Sequence, residues 1–79
     1  MLQMMARHMI DRRPGARLAE VRKSRGMKQR ELAQAIGVST ATIQSYERGR
    51  AVLNMRRLDQ IADALECDPT ELFPRRRAV

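Results

Sequence analysis

Four positions of one predicted helix carry short or amide side chains that can form hydrogen bonds without adding charge. They lie in the stretch QRELAQAIGVSTATIQSYER, residues 29–48, and are Thr40, Ala41, Gln44 and Ser45. A helix on an ordinary solvated surface would more often carry Glu and Lys at its outward positions. Small hydrogen-bonding groups instead suit an approach to the edges of bases in the major groove of DNA.

Two short helices joined by a tight turn must hold these positions. The first is predicted over residues 29–36, and the second begins at Ser39 or Thr40 and ends near Gly49. Gly37 suits the turn because glycine readily adopts positive φ. Ala33 is small enough to let the second helix approach the first. The apolar anchors of both helices and of the turn are Leu32, Ile36, Val38, Ile43 and Tyr46.

The rest of the chain predicts three more helices and no strand, so the fold class is all-α. One helix covers about residues 15–25, with Pro14 at its start. Another begins at Asn54, and a short last helix follows the capping box that Asp68 begins. We expect one domain over residues 14–73. Residues 1–13 are predicted to be an N-terminal arm or a partial tag, and residues 74–79 a basic tail.

The charge of the chain favours a polyanionic partner. The 79 residues carry a formal net charge of +7, and 14 of the 16 basic residues are Arg. Arg presents a planar fork of donors that suits phosphate and guanine. Residues 1–57 hold a net charge of +9, whereas residues 58–79 hold −2. A basic charge is also common on ordinary soluble proteins. The choice between a nucleic-acid partner and an ordinary surface therefore depends on the pattern of the helices.

No group of residues predicts catalysis, a metal site or a cofactor. Cys67 is the only cysteine, so it cannot form an internal disulfide or a Cys-based metal site, and His8 is the only histidine. No apolar stretch approaches the roughly twenty residues of a membrane span, and the start lacks the apolar region of a secretory signal. We therefore expect a cytoplasmic protein that is not an enzyme and has no membrane partner.

Two runs resemble a known family: LAEVRKSRGMKQRELAQAIGVSTATIQSYERGR at residues 18–50, and LDQIADALECDPTELF at residues 58–73. Together they look like the Cro/CI-type, or XRE, family of helix-turn-helix regulators. The resemblance implies a compact five-helix, lambda-repressor-like domain with the helix-turn-helix at helices 2 and 3. It also implies a homodimer on palindromic double-stranded DNA and association with the nucleoid.

The resemblance assigns roles to individual positions. Thr40, Ala41, Gln44 and Ser45 match the family's base-reading positions, and Gln44 can pair with adenine through two hydrogen bonds. The positions that match DNA-backbone contacts are Lys28, Gln29, Arg30, Ser39, Thr42, Arg48, Arg50, Arg56 and Arg57. The loop at residues 51–53 departs from relatives that place polar or basic residues there, so its contact with DNA stays open.

Two further sets are structural. Arg22 and Glu47 could be ordinary surface charges, but the resemblance implies that they pair and tie helix 1 to helix 3. We expect Arg22 to set the angle of the reading helix without touching bases. The apolar residues Leu53, Leu65, Leu72 and Phe73 are the candidates for a dimer interface.

These observations predict a minimal sequence-specific transcriptional regulator that reads the major groove with helix 3. The alternative is a protein-interaction module, such as an antitoxin whose main partner is a toxin, or a bridging domain. Salt dependence separates the two classes, because a regulator keeps a large sequence preference while its affinity falls with salt.

Overall fold

The computed structural model describes residues 14–73, and this range contains helices and no β-strand. Four α-helices follow one another: α1 (Pro14–Ser24), α2 (Gln29–Ile36), α3 (Thr40–Glu47) and α4 (Met55–Leu65). A short 3-10 helix, Pro69–Leu72, comes last. The all-helical prediction is confirmed. The predicted arm at residues 1–13, which includes His8, and the predicted tail at residues 74–79 lie outside the described residues.

The last segment is a single 3-10 turn where the sequence predicts a fifth helix, so the domain has four α-helices. Phe73, which ends the turn, is extended at φ −76° and ψ 147°. This conformation follows from Pro74, because the residue before a proline is disfavoured in the α region. The helical backbone therefore ends at Leu72, and the segment does not extend into an α-helix.

Asp68 caps that turn as the sequence predicts. Its Oδ1 accepts a hydrogen bond from the Thr70 N–H at 2.9 Å, and its own N–H donates to Glu71 Oε2 at 3.2 Å. The Thr70 N–H and hydroxyl hold the pKa of Asp68 below its ordinary value. A lowered folded-state pKa means that the cap stabilises the fold above the ordinary pKa. This stabilisation is lost as pH falls through the lowered pKa.

The two helices of the predicted helix-turn-helix are joined by a turn of three residues. Gly37 ends α2 at φ 74°, a conformation that costs a glycine little. The Val38 N–H then donates to the Ala33 carbonyl at 2.9 Å. Ser39 caps α3, because its Oγ accepts from the Thr42 N–H at 3.1 Å. The turn is thus closed by hydrogen bonds on both sides.

One hydrophobic core joins all the helices. Its members are Leu18, Val21, Leu32, Ala33, Ile43, Tyr46, Leu58, Ile61, Ala62, Leu65 and Leu72. Each α-helix contributes at least two of them, and the 3-10 turn contributes Leu72. A domain this small needs most of its large apolar side chains to build its core.

That core corrects the predicted dimer interface. Leu65 is 1% exposed and Leu72 is 0% exposed, so neither side chain is available to a second subunit. The prediction is wrong for these two residues because their own chain covers them. Leu53 is half-buried against the core, and Phe73 is 43% exposed.

Two arginines, one in α1 and one directly after it, connect this part of the chain to the end of the domain. Arg17 Nε donates to the Glu71 carbonyl at 2.7 Å, and Arg25 Nε donates to the Leu65 carbonyl at 3.0 Å. The last carbonyls of a helix have no partner within the helix, so Arg25 satisfies one at the end of α4. Sequence analysis did not predict either contact.

Gly15 permits a close approach between α1 and α3. A Cβ atom at this position would collide with the Tyr46 carbonyl oxygen and lie 2.9 Å from the Glu47 carbonyl carbon. Both neighbours are backbone atoms, which cannot move aside as a flexible side chain can. The start of α1 therefore packs directly on the end of α3.

We predict that Gly15→Ala destabilises the fold. In an uncrowded helix the change stabilises by up to about 1 kcal/mol, because alanine is the better helix former. Here the added methyl group overpacks a backbone contact, so a loss of about 1–3 kcal/mol is expected. Urea unfolding followed by circular dichroism gives the sign directly. A more stable variant would contradict the close packing of α1 on α3.

Candidate nucleic-acid interface

Helix α3 has one side in the core and one side towards solvent. Ile43 is 0% exposed and Tyr46 is 9% exposed, so they anchor the helix. Among the predicted base-reading residues, Ala41 is exposed, and the other three are half-buried: Thr40, Gln44 and Ser45. None of the four belongs to the core. They form an uncharged surface that is called the reading edge below.

Two residues predicted to contact the DNA backbone form hydrogen bonds at the start of α3. They are Ser39 and Thr42. Their hydroxyl oxygens are 3.0 Å apart and share a hydrogen bond. Ser39 Oγ also caps the helix through the Thr42 N–H. Ser39 remains exposed, so it can meet a phosphate while it caps.

Arg22 and Glu47 form a buried ion pair between α1 and α3. Arg22 Nε donates to Glu47 Oε2 at 2.6 Å, and Arg22 Nη2 donates to Glu47 Oε1 at 3.3 Å. Each side chain is only 8% exposed. Arg22 Nη1 donates to the Met27 carbonyl at 2.7 Å, so the same guanidinium also holds the turn between α1 and α2. This two-point pairing is the strong form of an Arg–carboxylate contact.

Gln29 links this ion pair to the reading edge. Its Nε2 donates to Glu47 Oε1 at 2.9 Å. Its Oε1 accepts from Gln44 Nε2 at 3.4 Å. The sequence predicts phosphate binding for Gln29 and base reading for Gln44, but it did not predict that the two touch. One signal was available, because Gln44 and Glu47 are three residues apart and share a helix face.

The predicted DNA-backbone cations lie mainly on the surface. The exposed ones are Lys28, Arg30, Arg48, Arg50 and Arg56. Arg57 is half-buried and donates through Nη1 to Gln60 Oε1 at 2.9 Å. Arg56 and Arg57 line a shallow depression of about 290 Å³ with Asn54, which caps α4. An N-terminal helix end with exposed cations favours an anion.

Two large apolar side chains are exposed near the start of α4, one in the preceding loop and one at the first residue of the helix. Val52 is 91% exposed and Met55 is 61% exposed. Further along α4, Asp59 and Asp63 are exposed, and so is Glu66 just past its end, as a solvated face requires. The start of α4 is therefore basic, and the rest of its exposed face is acidic.

Other chemistry has little support among residues 14–73. Burial raises the pKa of the Cys67 thiol, which disfavours the nucleophilic thiolate. Within that range no three His, Cys, Asp or Glu side chains are grouped so as to hold a metal ion. None of the described helices is long and apolar enough to cross a membrane.

Proteins with similar sequences include a helix-turn-helix regulator, in agreement with the arrangement of α2 and α3. The chain is 39% identical over 64 residues to the HTH-type transcriptional regulator y4aM of Sinorhizobium fredii, a match covering 81% of this chain and 45% of that protein. The chain thus spans about half the length of this relative.

Two solved structures have a similar fold. The restriction–modification controller protein C.AhdI from Aeromonas hydrophila gives a TM-score of 0.74 at 32% identity, covering 78% of this chain and 90% of that chain. The P22 c2 repressor in complex with a synthetic operator gives a TM-score of 0.68 at 32% identity, covering 76% and 91%.

The family model described as Helix-turn-helix (HTH_3) matches residues 18–72. This range begins at the first core residue of α1 and ends at the last core residue of the 3-10 turn. The match includes the α2–α3 turn, the ion pair and the reading edge. The chain therefore belongs to the Helix-turn-helix family of XRE, or Cro/CI-type, regulators.

Proposed function

We propose that this chain is a sequence-specific DNA-binding domain that regulates transcription by occupying an operator. The observation that carries the proposal is the composition of α3, whose inner side is in the core and whose reading edge is uncharged and outside it. An α-helix fits the major groove, where each base pair presents its own pattern of donors and acceptors. The P22 c2 repressor, whose structure is that of a complex with a synthetic operator, has a similar fold.

In this proposal, base and phosphate contacts come from different residues. Thr40, Ala41, Gln44 and Ser45 face the bases, with the Gln44 amide placed for adenine. The DNA backbone is held by exposed cations, by the capped start of α3 and by the start of α2 around Gln29. Phosphate contacts set register and orientation, whereas base contacts specify the sequence.

We predict that Gln44→Ala changes sequence preference and that Arg50→Ala does not. Loss of a two-point amide contact should remove about 1–3 kcal/mol of discrimination at one base pair. Loss of a phosphate contact should weaken all sites alike and reduce the salt slope by about 1. The bound sequence is first selected from a random DNA pool, and single-base variants are then titrated at several salt concentrations. Equal weakening of every site by Gln44→Ala would contradict the assignment.

We also propose that the domain binds DNA as a homodimer on a palindromic site. One α3 reads only a few base pairs, and two-fold pairing doubles the sequence that is read. Of the predicted interface residues, Phe73 and Leu53 keep surface that a second copy can cover. Half-sites should then lie about one helical turn, roughly 34 Å, apart.

For the dimer, we predict that Phe73→Asp shifts the chain towards monomer and weakens binding to the full site. The added charge would have to be buried on pairing. Ala35→Asp is the matched control, because it adds the same charge at an exposed position of α2. It should leave self-association unchanged. Sedimentation of free and DNA-bound protein measures both. A one-to-one complex on the selected palindrome at high protein concentration would rule out the dimer.

A further inference from the structure

The Glu47 carboxylate determines the direction of a short chain of hydrogen bonds that ends at the reading edge. Its two oxygens receive three donors: Nε and Nη2 of Arg22, and Nε2 of Gln29. A carboxylate that is paired with a guanidinium offers only acceptors. Any amide that faces Glu47 must therefore present its NH2 end.

That requirement orients Gln29. With its Nε2 directed to Glu47 Oε1 at 2.9 Å, its carbonyl oxygen is left to face α3. This oxygen accepts from Gln44 Nε2 at 3.4 Å. The two ends of an amide have nearly the same shape, so their hydrogen-bond partners decide which end points where. If Gln29 were reversed, its oxygen would face the oxygens of Glu47.

The same logic extends to Gln44. Because one N–H is directed to Gln29, Gln44 keeps its Oε1 and its second N–H for another partner. That pair of groups matches adenine, which presents an N6 donor beside the N7 acceptor. Guanine presents two acceptors, O6 and N7, at the same edge. A Gln44 amide of fixed orientation therefore sets an oxygen against the O6 of guanine.

We propose that Glu47 and Gln29 are positioning residues that fix the amide orientation of Gln44 and so make the domain prefer adenine over guanine at one position. This inference rests on the DNA-binding function proposed above. It requires no contact between Glu47 and DNA. It also gives Gln29 a second role besides its predicted phosphate contact, and the two roles make different predictions.

The most informative substitution is Gln29→Lys. Lysine can still donate to Glu47, but it has no acceptor for Gln44, so the Gln44 amide becomes free to reverse. The added positive charge should raise affinity for DNA of every sequence. We expect the adenine-to-guanine preference at the Gln44 position to fall by about three- to tenfold, the range of one net hydrogen bond. Affinity and selectivity should thus move in opposite directions.

The control is Gln34→Lys, which adds the same charge at an exposed position of the same helix. It should leave the adenine-to-guanine ratio unchanged. Gln29→Leu is a second test without added charge, and it should lower the same ratio. The double variant Gln29→Lys/Gln44→Ala should show no further loss of preference beyond Gln44→Ala alone. Thermal melts of each variant verify that it is folded at the titration temperature.

The measurement uses the whole 79-residue chain, the DNA site selected from a random pool, and the same site with guanine in place of adenine. An unchanged ratio in a folded Gln29→Lys or Gln29→Leu variant would overturn the inference and leave only a phosphate role for Gln29. An equal loss of preference in the Gln44→Ala background would also overturn it. Failure of the unmodified chain to select any sequence would instead reject the proposed function, and this inference with it.

Discussion

The ion pair between Arg22 and Glu47 is the interaction on which the site depends. It is nearly inaccessible to solvent and joins the first helix to the end of the third. Removing two charges from water costs free energy that the pairing often only offsets, so such a pair is weak evidence for net stability. We propose that its value here is geometric, because both charges must remain paired and this would hold α3 at one angle. Within residues 14–73 no buried side-chain nitrogen or oxygen lacks a hydrogen-bond partner, as that constraint requires.

The size of α3 explains why this constraint matters. An isolated helix of eight residues is not stable in water. The reading edge exists only because Ile43 and Tyr46 are held in the core and because α1 packs on the end of α3 at Gly15. Packing holds the helix in place, and we propose that the ion pair sets its angle. On the exposed side of α3, Gln44 contacts Gln29, and Thr42 shares a hydrogen bond with Ser39.

Local signals predicted the helices well, and long-range contacts were predicted poorly. Ser39, Asn54 and Asp68 cap their helices as expected, because a cap depends on only three or four consecutive residues. Leu65 and Leu72 were misassigned because periodicity shows that a side chain is apolar, not whether its own chain or a partner covers it. The contacts of Arg25 with α4, and of Gln29 with Glu47, join residues 40 and 18 positions apart. Such contacts follow from how helices cross, which the spacing of residues does not encode.

The distribution of charge divides affinity from selectivity in this small domain. Cations attract the phosphates of any DNA sequence, so a Lys or Arg on the reading edge would strengthen wrong sites along with right ones. The exposed arginines instead lie outside the reading edge, among them Arg30 on α2, Arg48 and Arg50 after α3, and Arg56 at the start of α4. Uncharged groups on α3 add little attraction, but a mismatched donor or acceptor is costly once it is desolvated. Selectivity therefore depends on how firmly those few groups are oriented, and a buried carboxylate behind them can orient them more firmly than solvent can.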